Sequence, residues 1–129
     1  MKQIVNILVI VSIIMLLFLG VRNMFFPSNT FEQYGIKLES VLTFNTFRGA
    51  ISGMLIGISM ILLMGLLTRN KTWYHSSQLL ILVILFGRIF SVMVDGWTNA
   101  VMPPIVVEVF IITVLYFASK QLDTSKKRV

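Results

Sequence analysis

Long uninterrupted stretches of apolar residues dominate the chain, and they alternate with short polar breaks. The first, "IVNILVIVSIIMLLFLG", starts at Ile4, passes Gly20 and Arg22, and continues to Phe26 before "PSN". The second, "FRGAISGMLIGISMILLMGLL", runs from Phe47 to Leu67. The third has its apolar centre at Leu79 to Val94, and the fourth begins around Pro103 and ends near Ala118. Each approaches the roughly 20 residues needed to cross a hydrocarbon core as a helix. None alternates with period two, and a closed membrane barrel needs more strands than this length supplies. The pattern predicts an all-α membrane protein, an antiparallel four-transmembrane-helix bundle in a single domain over residues 1–129. Its expected spans are 4–26, 47–67, 77–95 and 100–119, followed by a short basic tail at 120–129.

A cleaved signal peptide is the competing reading of the first stretch. The stretch exceeds the roughly 7 to 15 residues of a signal core, and no small-x-small site follows, so a retained helix is expected. Asn6 and Ser12 then belong on a face that meets other helices. In the long connection "PSNTFEQYGIKLESVLTFNT", Phe31, Tyr34, Leu38, Val41 and Leu42 recur at helical spacing with Gly35 interrupting. That predicts a short helix lying on the membrane surface.

Composition agrees with this architecture. Of 129 residues, 57% are hydrophobic and 12% charged, and the mean hydropathy is +0.89; soluble domains carry about a quarter charged residues. The net charge of +6 lies at the ends of apolar stretches and in the tail. The expected anionic partners are therefore membrane lipids, with no nucleic acid. Lys2, Arg69, Lys71 and the tail share one side of an even-spanning topology, while "DGWTNA" has no basic residue. The bias of Lys and Arg toward the cytoplasm then places both termini inside. Trp73 and Tyr74 are expected at the inner boundary and Trp97 at the outer one.

Cysteine is absent, which excludes disulfides, thiolate metal sites and thiol catalysis. The single histidine, His75, has no second imidazole or acidic cluster beside it in sequence and reads as a loop residue, so no metal site and no cofactor are expected.

The candidate chemistry lies in the charges inside the apolar stretches. Arg88, Ser91 and Asp95 are spaced i, i+3, i+7 and share one stripe of the third helix. Arg88 and Asp95 are about 10 Å apart along the axis, so Glu108 on the fourth helix is the better partner for the guanidinium. Arg48, with Asn45 one turn before it, begins the second helix on the same expected side, and Arg22 ends the first there. Three arginines then face two carboxylates, a surplus that suits an outward-facing polar pocket of Asn45, Arg48, Arg88, Ser91, Asp95 and Glu108. Such a pocket would take a small anionic or lipid-like ligand, or a partner subunit. Ionisable residues in spans usually mark function; the plain alternative is a staple between helices. Gly49, Gly53 and Gly57 form overlapping G-x-x-x-G steps, expected to pack inside the bundle or, second, at a homo-oligomer face.

The order "N-x-x-R-G" (Asn45, Arg48, Gly49, with Gly53 following), "G-R-x-x-S-x-x-x-D-G" (Gly87, Arg88, Ser91, Asp95, Gly96) and a lone Glu108 resembles the small four-helix membrane proteins of domain-of-unknown-function family 4345. The resemblance runs from about Pro27 to Ala118 and leaves out the first helix. It implies a multi-pass protein of a bacterial plasma membrane with no assigned activity, and it singles out Asn45, Arg48, Arg88, Asp95 and Glu108. A more distant likeness to the DoxX-like four-helix membrane proteins brings no redox role, because no thiol or quinone-site motif is present. Ligand or partner binding is the favoured function. The alternatives are a membrane enzyme, or enzyme component, with Glu108 or Asp95 as general acid or base, and a purely structural subunit.

Overall fold

The computed structural model describes residues 2–35 and 40–126, nearly all of them helical. In chain order the elements are α1 (Lys2–Phe25), α2 (Pro27–Tyr34), α3 (Val41–Thr46), a π-helical turn (Phe47–Ser52), α4 (Gly53–Thr68), α5 (Lys71–Asp95), a 3-10 turn (Asn99–Val101) and α6 (Met102–Lys126). Four helical stretches are long and apolar enough to cross a membrane: Gln3–Phe25, Val41–Thr68, Lys71–Asp95 and Asn99–Leu122.

Helix boundaries differ from the sequence expectation in three places, each for a local reason. The second span starts at Val41 rather than at residue 47. Ser40, in extended conformation, caps it by accepting from the Thr43 backbone N–H at 3.2 Å, and the π turn carries the helix on into α4. The third starts at Lys71, where the Asn70 side chain accepts from Thr72 N at 3.0 Å. "KTWYHSS" is therefore helical, and His75 sits exposed on α5, not in a loop. The fourth continues to Lys126, so most of the expected tail extends α6. Pro103 and Pro104 fall in the first turn of α6, where backbone N–H groups have no intrahelical acceptor and proline removes nothing.

The core is a set of narrow stripes at helical spacing. Val9, Ser12, Ile13 and Leu16 come from α1, and Ile58, Ser59 and Leu62 from α4. Tyr74, Ser77 and Ile81 come from α5, and Ile111, Val114, Leu115 and Ala118 from α6. Around each helix α1 packs on α4, α4 on α5, α5 on α6, and α6 back on α1, which closes a four-membered ring in chain order. The remaining faces carry large exposed apolar side chains such as Ile4, Phe18 and Phe86. In water that surface would be prohibitive, but acyl chains are as apolar as leucine and it costs nothing there. The buried serines fit the same setting. Ser12, Ser59 and Ser119 donate to carbonyls of their own helices at 2.7–2.9 Å, which satisfies these small polar groups within the helix; Ser77 differs, its buried hydroxyl having no hydrogen-bond partner among the described residues. Asn6, as its polarity suggested, meets another helix: its Oδ1 accepts from Gln121 Nε2 of α6 at 3.5 Å.

Close approach between helices occurs at glycines other than the G-x-x-x-G set. A methyl group at Gly65 would lie 2.7 Å and 2.8 Å from the Tyr74 ring, and one at Gly20 would lie 2.7 Å from the Ile56 side chain. At Gly49 and Gly57 it would meet nothing within 4 Å, and at Gly53 only the Arg48 carbonyl oxygen at 3.8 Å. The stripe of Gly49, Gly53 and Gly57 thus does not pack against another helix of the described chain, contrary to the first expectation for it. Tyr74, in the first turns of α5, faces the bundle. It is buried to 3% exposure against Gly65 and serves as core, whereas Trp97 is 53% exposed.

The connection between α1 and α3 is docked on the bundle end. Pro27 opens α2, and Gly35 ends it in the left-handed conformation at φ 66°. Phe31 is buried with its ring 4.3 Å from Phe47 and 6.0 Å from Phe44, and Thr30 Oγ1 donates to Asn23 Oδ1 at 2.6 Å. A short helix was expected in this connection. It lies N-terminal of Gly35; Leu38 falls outside the described residues, and Val41 and Leu42 belong to the second span.

Candidate functional site: an intramembrane ion pair and a separate arginine groove

Arg88 lies about 10 Å before the end of α5, and Glu108 about 9 Å past the start of α6, at 1.5 Å per residue. The tight connection at Gly96 to Thr98 brings these depths level. Arg88 Nε donates to Glu108 Oε1 at 2.6 Å, the partner that axial spacing favoured over Asp95. The two groups are unequally placed: the Arg88 side chain is 39% exposed and that of Glu108 11%. Glu108 Oε2 is buried with no hydrogen-bond partner among the described residues. The terminal nitrogens of Arg88, Nη1 and Nη2, have no acceptor among the described residues.

Ser91 Oγ donates to Asp95 Oδ2 at 2.8 Å on the exposed side of α5. That pair, one turn apart, satisfies the carboxylate locally and leaves Asp95 near the helix end. Together the α5–α6 group contains one arginine and two carboxylates, so the surplus positive charge counted in the sequence does not reside here.

That surplus lies elsewhere. Arg48 and Asn45 line an open groove with Met24, Val41, Phe44 and Gly49, and Arg22 lines another with Phe18, Val21, Phe26 and Asn29. Neither groove includes Arg88, Asp95 or Glu108. The Arg48 guanidinium sits 5.7 Å from the centre of the Phe44 ring, a cation–π distance. Among the described residues no hydrogen bond or ion pair joins Arg48 to Asp95 or Glu108. Of the six polar residues singled out in the sequence, the structure brings Arg88 to Glu108 and Ser91 to Asp95, and sets Asn45 and Arg48 together in a groove of their own.

Sequence reasoning missed the π turn and the aromatic clamp of Phe31, Phe44 and Phe47. The second had a visible signal in its closely spaced phenylalanines; the first had none, since "FRGAIS" reads as an ordinary helix opening.

No curated protein and no solved structure gives a significant match to the chain. A family match does extend over nearly all of it, from residue 4 to residue 119, and so takes in α1, which the short motifs did not reach. With four membrane-length helices and an ion pair at matched depth between the last two, the chain belongs to the family described as a domain of unknown function, DUF4345.

Proposed function

We propose that this integral membrane protein is a binding protein, not a catalyst, and that Arg88 presents hydrogen-bond donors to the polar end of a lipid-like molecule or to a partner subunit. The observation that carries the reading is the half-satisfied guanidinium. Nε is held by Glu108, while the two terminal nitrogens of a side chain that is 39% exposed have no acceptor among the described residues. A charged donor that far inside a spanning helix needs an acceptor or water. Because Glu108 already neutralises Arg88 and Asp95 lies on the same stripe, the group bound there is a neutral or dipolar acceptor, such as a carbonyl or hydroxyl-bearing head, in place of a bare anion. Burial of Glu108 Oε2 weighs against Glu108 as a general acid or base in this conformation.

The reading takes the bundle as antiparallel with both termini cytoplasmic. Contacts that join the late part of one helix to the early part of the next support the first point: Gly20 with Ile56, Arg88 with Glu108, and Asn6 with Gln121. The distribution of Lys and Arg supports the second.

A structural reading has its own observation, since the same ion pair ties α5 to α6. Charge exchange separates the two. Arg88→Glu with Glu108→Arg restores the bridge but turns the free donors toward a different neighbour. Recovery of stability without recovery of a co-purifying molecule or subunit, read by native mass spectrometry, is the expected result. Recovery of both, or an empty and monomeric wild-type preparation, favours the staple.

A further inference from the structure

Beyond the α5–α6 pair, the geometry points to a second binding site, for the phosphate of an anionic phospholipid, in the groove between α1 and α3. Val41, Phe44, Asn45 and Arg48 recur at helical spacing and share one face; Met24 of α1 supplies the opposite wall. The wall residues Met24, Val41 and Phe44 are apolar, and Gly49 leaves its part of the groove open, with nothing within 4 Å of where a Cβ would stand. Into this apolar trough project one guanidinium and one carboxamide. Arg48 has no carboxylate partner among the described residues, and its guanidinium lies 5.7 Å from the centre of the Phe44 ring. A guanidinium beside an aromatic ring keeps N–H donors for another acceptor, and a phosphate oxygen is the acceptor its fork matches best. Asn45, one turn away on the same face, adds amide donors for a second phosphate oxygen or a headgroup hydroxyl.

Charge complementarity specifies the occupant further. Arg22 faces the neighbouring groove of Phe18, Val21, Phe26 and Asn29 and likewise has no carboxylate partner among the described residues. The end of α1 is thus flanked by two cations without counter-charges among the described residues, each set among apolar side chains. A zwitterionic lipid brings its own cation and gains less from such a place than a lipid with net negative charge. The π turn contributes by position: Arg48 is its second residue, and π turns inside helices are frequent at functional sites. Phe31 packed on Phe44 and Phe47 holds the turn in place.

The test uses the full chain in detergent, incubated with phosphatidylglycerol and phosphatidylcholine of identical acyl chains and read by native mass spectrometry. Phosphatidylglycerol should be retained roughly tenfold more than phosphatidylcholine, the ratio given by about 1.4 kcal/mol. Arg48→Gln should bring the two to parity, while Arg69→Gln, which removes a cation at the C-terminal end of α4 outside both sites, leaves the preference intact. Gly49→Leu, which fills the groove and keeps the charge, should also lower retention and covers the case in which Arg48→Gln does not accumulate. Equal retention of both lipids by the wild type, an undiminished preference in Gly49→Leu, or displacement of phosphatidylglycerol by equimolar inorganic phosphate would overturn the proposal. Loss of preference in Arg88→Gln alone would transfer the site to the α5–α6 pair and overturn it as well.

Discussion

At the scale of single residues, the Arg88–Glu108 pair is asymmetric, and the two halves of the asymmetry predict different mutational costs. Removing the guanidinium leaves a buried carboxylate with neither oxygen satisfied. Arg88→Gln should therefore destabilise by roughly 1.5–3 kcal/mol, in the range of hydrogen bonds to charged groups. Glu108→Gln retains a carbonyl oxygen that can accept from Nε and offers an amide where Oε2 now lacks a partner, so its cost should be clearly smaller. Thermal unfolding in detergent checks the order; equal losses would mean that Coulomb attraction outweighs hydrogen-bond satisfaction. Ser40 offers a smaller test on the same scale. Its hydroxyl accepts from Thr43 N, and Ser40→Ala should cost about 1 kcal/mol as a lost cap, seen as fraying of residues 41–46 in hydrogen exchange.

At the scale of elements, glycines divide by what lies opposite them. Gly65→Ala pushes a methyl into the Tyr74 ring, and Gly20→Ala pushes one against Ile56, whose backbone N would be 3.1 Å away. Overpacking of this kind costs typically about 1–3 kcal/mol, and both variants should lower the unfolding temperature. Gly57→Ala meets open space and should be neutral or stabilising by up to about 1 kcal/mol, the helix-propensity gain over glycine. A strong loss in Gly57→Ala would instead reveal a second chain packed on that face. The motif G-x-x-x-G was legible in the sequence, but its use was not. Small residues permit close approach wherever they occur, and only the arrangement of helices decides which of them are approached.

At the scale of the whole molecule, the ring of four helices carries many large apolar side chains on its outer faces, and the orientation proposed for it rests on where the positive charges fall. Single cysteines introduced at Thr98 and Asp123, in a chain with none of its own, should label from opposite sides, with the Thr98 position accessible from outside. Labelling of both from the same side would contradict a four-span crossing, and outside labelling at Asp123 would reverse the orientation. The fold class and the four membrane-length helices were readable because long apolar stretches admit few other structures in lipid. The boundaries at Val41, Lys71 and Lys126 were less so, since the flanking segments are polar enough to read as loops and become helical through caps and continuity with a stable span.

What the amino-acid order determined unaided was the architecture: apolar length set four membrane-length helices, helical spacing put Arg88, Ser91 and Asp95 on one stripe, and axial distance singled out Glu108 as the partner of Arg88. Only the tertiary arrangement decided how the charges were shared. It set Arg48 and Asn45 in a groove of their own with α1, left the G-x-x-x-G stripe facing open space, and turned Tyr74 inward against Gly65. The physical reason is that periodicity and rise per residue are properties of one helix, whereas which faces meet depends on the rotation of every helix against its neighbours.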